Sequence, residues 1–439
     1  MLKAVNEYDR APMVKISQSD PNELFAGGLE YNPPARGVWN IVHTGMLIPE
    51  AHQIFCCAYG CLRGVILTAA EMNAIDRLSW ISVSESDMFD GTLESNMIEG
   101  VCDIIERLGK KPRNVLLFLS CIHLFAGCDF TAITEELSRR YSDIHFTDCY
   151  MTPTMRKTIS PDAKMRMQLY DALSPLPLNK RSVSIIGNDR ATDEESELVR
   201  IIKNSGCELK DLTMCKSYEE YLAMAESAVN ITYLPTAFNA GEELEKRLGA
   251  KHLYLPNSFD YDRIRENYKK LCNAIGAELP ELDDEAALTE QAFESTLNNI
   301  GDIPVAVDLT AVTRPFEFAR VLSQHGFNLR YIITDTVSGE ELDDYNWLKE
   351  NRPETEIYSA LNVNMLYSAE GRSEKILAVG QKAAYYFATD NFVDVVQNGG
   401  FYGFSGIRKL LAMMTDANAY TKDRRTVIQH KGWGCASCC

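Results

Sequence analysis

Unbroken apolar runs, each followed by a segment with helical spacing, recur along most of this chain. The clearest run covers residues 115–119 and stops at Ser120. An apolar run without alternation is typical of a strand that is buried on both faces, as in a parallel sheet covered by helices. Because a helix is predicted to begin near Phe130, this stretch predicts a strand, a connecting loop and a helix.

The alternation of strand and helix restarts twice. It breaks at the proline-containing segment 174–178 and resumes at Ser182, and after an acidic helical stretch at 278–295 it resumes at Pro304. The last helix is predicted over 405–415. Alternating strands and helices indicate an α/β fold. We therefore predict three Rossmann-like domains with parallel, helix-covered sheets, at 1–178, 179–300 and 301–420, and a cysteine-rich tail at 421–439.

The first 30 residues show no clear period and contain the polar stretch 18–22. We expect an extended arm that packs on another surface of the protein.

Charge and composition narrow the classes of partner. Of the 439 residues, 46% are hydrophobic and 24% are charged, as in an ordinary globular protein, and the net charge is −18. Nucleic acids and anionic membranes select basic surfaces, so we expect neither as a partner. No apolar run reaches the roughly 18 residues that span a bilayer, and the amino terminus lacks a signal-peptide core. A cytoplasmic location is expected.

The 13 cysteines are unevenly distributed. In a reducing compartment, clustered thiols more often bind metal or carry out redox chemistry than form disulfides. Three groups stand out: Cys56, Cys57 and Cys61; Cys121 and Cys128; and Cys435, Cys438 and Cys439.

The first two groups are the candidate cofactor site. Cys121 follows the predicted strand directly, and ligands of open α/β sheets bind beyond the carboxyl ends of the strands. An iron–sulfur cluster commonly takes about four thiolates from separate loops, a number that these two groups can supply. A thiol at the end of a buried strand is also often only part of the core, so a structural role stays open. His52 and His123 are nearby candidates for ligands or proton donors.

A further candidate metal site is the terminal Cys-x-x-Cys motif. It runs from Cys435 to Cys438, and Cys439 follows it. Such thiols can bind zinc, ligate a cluster or cycle as a dithiol. A tail with incidental thiols is the alternative.

The chain resembles a subunit of the nitrogenase component 1 family. Four segments carry the resemblance: His43-Thr44-Gly45 through Cys56-Cys57-Ala58-Tyr59, the strand and loop 115–130, the segment 228–233, and Gly403-Phe404-Ser405-Gly406 with the helix after it. On this resemblance Cys56 is a cluster ligand, with Cys57 as the alternate, Cys121 is a second ligand, and Cys128 replaces an aspartate of the family.

The departures from the family pattern also carry information. The positions that anchor the iron–molybdenum cofactor in catalytic nitrogenase subunits correspond to Tyr233 and Tyr402, and sulfide-rich clusters prefer thiolate and imidazole. We therefore expect no nitrogenase-type iron–molybdenum cofactor. No cysteine precedes Cys56, although the family's first cluster cysteine would fall near residue 36. A four-iron cluster shared with a partner chain remains compatible with the thiols present.

The resemblance implies a subunit of a nitrogenase-like, ATP-dependent reductase. Such a subunit holds an iron–sulfur cluster, four-iron or larger, and accepts low-potential electrons from an iron-protein-type reductase. A second subunit, identical or homologous, would complete a dimer or tetramer. One alternative is a scaffold or carrier that assembles a metallocluster for another enzyme, and another is a structural relative with a zinc-bound tail. The substrate is not identified by the sequence.

Overall fold

The structure is a computed structural model that describes residues 12–25, 27, 30, 31, 33, 35, 40–152, 159–367 and 374–427. Within these residues, three separate β-sheets are built almost entirely from parallel strands, and helices cover them. The prediction of an α/β fold with several parallel sheets is confirmed.

The amino-terminal arm contributes a short strand, β1 (Met13–Lys15), to the third sheet, which the carboxyl-terminal part of the chain forms. It pairs antiparallel with a strand at residues 356–358, with Val14 opposite Ile357. Next to it, Ile16 is fully buried in the core that the second and third sheets share. The arm thus packs on another surface, as expected, and covers what would be an open edge of the third sheet.

The first sheet has four strands in the order β3-β2-β4-β5. They are β2 (Ala51–Ala58), β3 (Leu78–Val83), β4 (Asn114–Ser120) and β5 (His145–Met151). Its helices are α1 (Ile41–Gly45), α2 (Tyr59–Glu71), α3 (Glu85–Phe89), α4 (Leu93–Arg107), α5 (Cys121–Ala126), α6 (Phe130–Arg140) and α7 (Pro161–Gln168).

The second sheet has the order β7-β6-β8-β9. Its strands are β6 (Asn179–Ile185), β7 (Glu208–Asp211), β8 (Ser227–Thr232) and β9 (Lys251–Tyr254). Its helices, including two long ones that follow the last strand, are α8 (Glu197–Asn204), α9 (Tyr218–Leu222), α10 (Phe238–Leu248), α11 (Tyr261–Ile275) and α12 (Asp283–Ile300).

The third sheet has the order β1-β12-β11-β10-β13-β14. Its own strands are β10 (Val305–Asp308), β11 (Leu329–Ile333), β12 (Glu356–Tyr358), β13 (Leu377–Val379) and β14 (Phe392–Val393). Its helices are α13 (Pro315–Gln324), α14 (Leu342–Asn351), α15 (Gln381–Tyr386) and α16 (Gly403–Ala419).

The three sheets share one winding pattern. In each sheet the chain first adds a strand on one side of its opening strand and then crosses to the other side. The point where the winding reverses lies between β2 and β4 in the first sheet, between β6 and β8 in the second, and between β10 and β13 in the third. In doubly wound sheets, the crevice outside the carboxyl ends of those two strands is the usual ligand site.

The strand β4 follows the prediction closely, because all seven of its residues are buried. Alternate residues face two different cores: Leu116 and Phe118 pack with one group of helices, and Val115 and Leu117 with the other. A strand between two helical layers needs apolar residues on both faces, which explains the unbroken run.

Three elements around the cysteines were not predicted: β2, α2 and α5. The strand β2 contains His52 and Gln53, and both are buried polar residues. Gln53 Nε2 donates a hydrogen bond to the Val42 carbonyl at 2.9 Å, and His52 Nε2 lies 2.8 Å from Ser79 Oγ. These contacts give the His52 ring and the Gln53 amide nitrogen hydrogen-bond partners and so reduce the cost of burying both side chains. Among the described residues, no helix combines the length and apolar composition needed to cross a membrane.

Candidate metal centre

The predicted ligand cysteines of the first domain lie at the carboxyl ends of the two central strands of the first sheet. Cys57 is the penultimate residue of β2, Cys61 is in the first turn of α2, and Cys121 is the first residue of α5. In the parallel register Cys56 pairs with Leu119, so that β2 and β4 end side by side. The thiols therefore surround the point where the winding of this sheet reverses.

Cys56 and Cys57 face opposite sides of β2, because successive side chains of a strand alternate. Cys57 is packed in the same core as Phe55 and Phe118, whereas Cys56 is packed in the other core with Ile54. The five predicted thiols consequently divide between the two faces of the sheet, and the sequence alone gave no sign of this division.

The first group contains Cys57, Cys61 and Cys121. Cys57 is fully buried, Cys121 is half-buried and Cys61 is exposed. Burial, followed by the nearby Cys61 and Cys121 thiols, raises the pKa of Cys57 to about 12. Cys61 and Cys121 thus lie near enough to Cys57 to influence its thiol, and Cys61 is the one of the three that is exposed to solvent.

The second group contains Cys56 and Cys128, with His123 between the strands. Burial above all, and then the nearness of Cys57, Cys128 and Asp87, raises the pKa of Cys56 well above its ordinary value. Its Sγ lies 3.5 Å from His123 Nε2. Cys128 is half-buried, and its pKa is raised by burial first and then by Glu94.

His123 is held by a second contact: its Nδ1 lies 3.2 Å from Ser120 Oγ. The imidazole is fully buried, and burial lowers its pKa. A neutral ring with both nitrogens in contact with protein atoms fixes the turn from β4 into α5, which is the turn that carries Cys121.

His52 is not part of the site. It lies at the amino end of β2, four residues before Cys56, or about 13 Å along the strand. Its partner is Ser79, and burial lowers its pKa to about 4. The suggestion that His52 assists the thiols is therefore wrong.

In the part of the chain that the structure describes, no three His, Cys, Asp or Glu side chains converge closely enough to hold one metal ion. A cluster is larger than an ion and is bound by thiolates from separate loops. Cys57, Cys61 and Cys121 come from β2, α2 and α5, so a cluster bound by all three would take its thiolates from three separate elements. The terminal Cys435, Cys438 and Cys439 lie outside the described residues.

Exposed aromatic side chains surround this edge of the sheet, and sequence reasoning did not single them out. Tyr59 is 79% exposed, Phe89 87% and Phe125 76%. They follow the carboxyl ends of β2, β3 and β4. We call these three residues the aromatic rim. Their positions at the starts and ends of short helices beside the cysteines were the available signal in the sequence.

The two tyrosines that the resemblance matches to the nitrogenase cofactor anchors, Tyr233 and Tyr402, are packed in the core. The rings of Tyr233 and Tyr402 lie 5.5 Å apart, and both residues are buried. The Tyr402 hydroxyl donates to the Leu255 carbonyl at 3.0 Å and accepts from Asn267 Nδ2 at 3.2 Å. The Tyr233 hydroxyl lies 3.1 Å from Thr192 Oγ1. These hydrogen bonds give each phenol a protein partner; the absence of an iron–molybdenum cofactor itself stays a prediction.

Comparison with known proteins identifies the family. No curated protein sequence matches the chain significantly. The family model described as nitrogenase component 1 type oxidoreductase matches residues 42–418. Nitrogenase Cp1 at pH 6.5 superposes with a TM-score of 0.68 at 13% identity, over 91% of this chain and 96% of the other. Nitrogenase Cp1 at pH 5 gives 0.58 at 14% identity, over 92% and 93%. Because the match spans most of the sequence and includes the sheet that carries the thiols, this chain belongs to the nitrogenase component 1 type oxidoreductase family.

Proposed function

We propose that this chain is a subunit of a nitrogenase-like reductase and that Cys57, Cys61 and Cys121 supply three thiolates to an iron–sulfur cluster at its subunit interface. The observation that supports the proposal is that these three cysteines lie at, or directly after, the carboxyl ends of β2 and β4, where the winding of the first sheet reverses. When bound, such a cluster accepts one electron from a donor protein and passes one electron on.

The burial of Cys57 suits a ligand rather than a free nucleophile. Burial raises the pKa of the Cys57 thiol to about 12, so that without a metal nearby the thiol is protonated at neutral pH. A metal centre supplies the positive charge that makes the thiolate favourable in a buried place, and the proton leaves on binding. Cys56, on the other face and in contact with His123, would then hold the turn in place rather than the cluster.

The fourth thiolate has two candidate sources. One is a second subunit, identical or homologous, which the aromatic rim supports, because large exposed aromatic side chains are typical of protein interfaces. The other is the terminal group Cys435, Cys438 and Cys439. An ATP-dependent iron-protein-type reductase is the proposed electron donor, in line with the family.

A maturation scaffold is the alternative function within the same family. The exposure of Cys61 supports it, since a cluster bound at an open edge can be handed to an acceptor. The two functions differ in a measurable way: a reductase subunit turns over with an ATP-driven donor, whereas a scaffold transfers its iron and sulfide to an apo-acceptor without turnover.

The ligand assignment is tested by iron and acid-labile sulfide analysis of anaerobically purified and reconstituted protein. We expect Cys57→Ser and Cys121→Ser to lose most of the iron. Cys56→Ser tests the opposite face, and Cys272→Ser, a buried cysteine on α11, is the control. Retention of iron by Cys57→Ser together with its loss in Cys56→Ser would show that the ligand set lies on the other face.

A triple serine variant at Cys435, Cys438 and Cys439 separates the two sources of the fourth thiolate. Unchanged iron content in this variant favours the second subunit. If none of the cysteine variants changes the iron content, the cluster proposal is wrong.

A further inference from the structure

A second concave site lies at the opposite end of the first sheet from the thiols. Three loops that enter β2, β3 and β4 form one side of this cleft, and the turn after β7 forms the other side. Its volume is about 580 Å³, within the range of small-molecule sites. Because β7 belongs to the second sheet, the cleft lies between the amino edge of the first sheet and a carboxyl-edge turn of the second.

The floor of the cleft is rigid before any ligand binds. The guanidinium of Arg77 donates to the carbonyls of Met46 at 2.9 Å, Ile48 at 2.6 Å and Ala51 at 3.2 Å. These three hydrogen bonds tie the loop before β2 to the loop before β3. A preformed wall of this kind reduces the entropy lost when a ligand binds.

The charge of the cleft is opposite to that of the chain. Four cationic side chains line it, against two carboxylates, Glu50 and Asp76, whereas the whole chain carries −18. The cations are Arg77, Lys110, Lys111 and Lys216. His52, also in the lining, is neutral at physiological pH.

The lysines differ in whether a carboxylate of the protein already pairs with their ammonium group. Lys110 Nζ lies 3.1 Å from Glu50, and Lys111 Nζ lies 2.7 Å from Asp143, in a pair whose partners are both largely exposed. Lys216 is exposed and forms no ion pair with any residue that the structure describes. An anion bound here would therefore contact two available ammonium groups. That of Lys216 has no ion-pair partner among the described residues, and that of Lys111 belongs to a weak, exposed ion pair.

The remaining lining is apolar and lies beside the cations: Met46, Leu47, Pro49, Leu108 and Pro112. A free inorganic anion would leave this wall in contact with water, and an uncharged apolar molecule would leave the ammonium groups unused. We propose that the cleft binds an organic phosphate of nucleotide size, with its apolar body on this wall and its phosphates at Lys111 and Lys216. The proposal does not depend on the cluster at the other edge.

Isothermal titration of the full chain with ADP, adenosine and pyrophosphate, without added metal, tests the site. We expect ADP to bind at least about tenfold more tightly than either fragment, because only ADP contacts both halves of the lining. The double variant Lys111→Gln/Lys216→Gln should weaken ADP binding at least about tenfold. The matched control is Lys251→Gln/Lys269→Gln, which removes two exposed lysines outside the cleft and should leave binding unchanged.

Three results would overturn the proposal. They are the absence of ADP binding up to about 1 mM, equal affinity for ADP and pyrophosphate, and ADP binding that survives in the cleft variant. Because both double variants replace only exposed lysines, equal thermal unfolding midpoints establish that a loss of binding is not a loss of folding.

Discussion

At the scale of single residues, a difference of one position along β2 decides on which face of the first sheet a cysteine thiol lies. Cys56 and Cys57 are adjacent and chemically identical, yet Cys56 contacts His123 and packs in the core on one face of β2, whereas Cys57 packs in the core on the other face, with Cys61 and Cys121 nearby. The resemblance to the family favoured Cys56 as the ligand, because a tyrosine follows it three residues later. The register of β2 favours Cys57, and the iron analysis described above decides between them.

The contribution of the packed tyrosines to stability also belongs to the residue scale, and substitutions of Tyr402 test it directly. Tyr402→Phe removes the donor to Leu255 and the acceptor of Asn267, so we expect it to lower the free energy of unfolding by about 1–2 kcal/mol. Tyr402→Ala also opens a cavity and should cost about 3–5 kcal/mol. Urea unfolding measures both values.

Tyr420→Phe is the control for the hydroxyl deletion, since Tyr420 is 72% exposed and its change should stay within about 0.5 kcal/mol. Equal stability of Tyr402→Phe and this control would contradict the expectation that the hydrogen bonds of the buried Tyr402 hydroxyl stabilise the fold.

At the scale of elements, the last helix shows how much of a helix can be predicted from the hydrophobic periodicity of the sequence. The sequence predicts a last helix over 405–415, and the structure extends it at both ends to α16 (Gly403–Ala419). The first residue depends on tertiary contacts: Gly403 has φ of 69°, and a Cβ there would overlap the Tyr268 hydroxyl and the Glu197 carboxylate. Glu197 also accepts a hydrogen bond from the Ser405 amide at 3.1 Å.

Gly403→Ala should therefore be strongly destabilising, by at least about 3 kcal/mol, because steric overlap adds to an unfavourable backbone conformation. Gly249→Ala is the matched control. Gly249 has φ of 77° but no atom within 4 Å of a Cβ built on it, so only the backbone cost of about 1 kcal/mol applies. Urea unfolding compares the two variants. Similar losses of stability in both variants would show that the Tyr268 and Glu197 side chains can move aside at little energetic cost.

At the scale of the whole molecule, the three sheets repeat one strand order, and the arm joins the chain's start to its third sheet. Within the described residues, clustered thiols lie at the reversal point of the first sheet but not of the other two, and the exposed aromatic rim lies beside them. The corresponding region of the second sheet is closed by Tyr233 and Tyr402. The exposure of Cys61 and of the aromatic rim supports the proposal that a cluster at this edge would face outward.

An outward-facing site predicts association through the aromatic rim. We expect the double variant Phe89→Glu/Phe125→Glu to reduce self-association, or association with a homologous subunit, at least about tenfold, because buried carboxylates at an interface are costly. Leu288→Glu is the control, because Leu288 is a half-exposed apolar residue on α12. Anaerobic sedimentation velocity measures the assembly state. A variant that assembles like the parent protein would exclude the rim as the interface.

The sequence determined the α/β class, the strand β4 and the uneven spacing of the cysteines along the chain, because these follow from local patterns: an unbroken apolar run, helical spacing and the clustering of one residue type. The strand β2 escaped prediction because His52 and Gln53 are satisfied only by contacts with Ser79 and Val42, which lie elsewhere in the chain. Which cysteines meet, which face each one takes and where the cationic cleft lies were decided by the tertiary structure alone. The physical reason is that strand register and the packing of helices on the two faces depend on contacts between residues far apart in sequence.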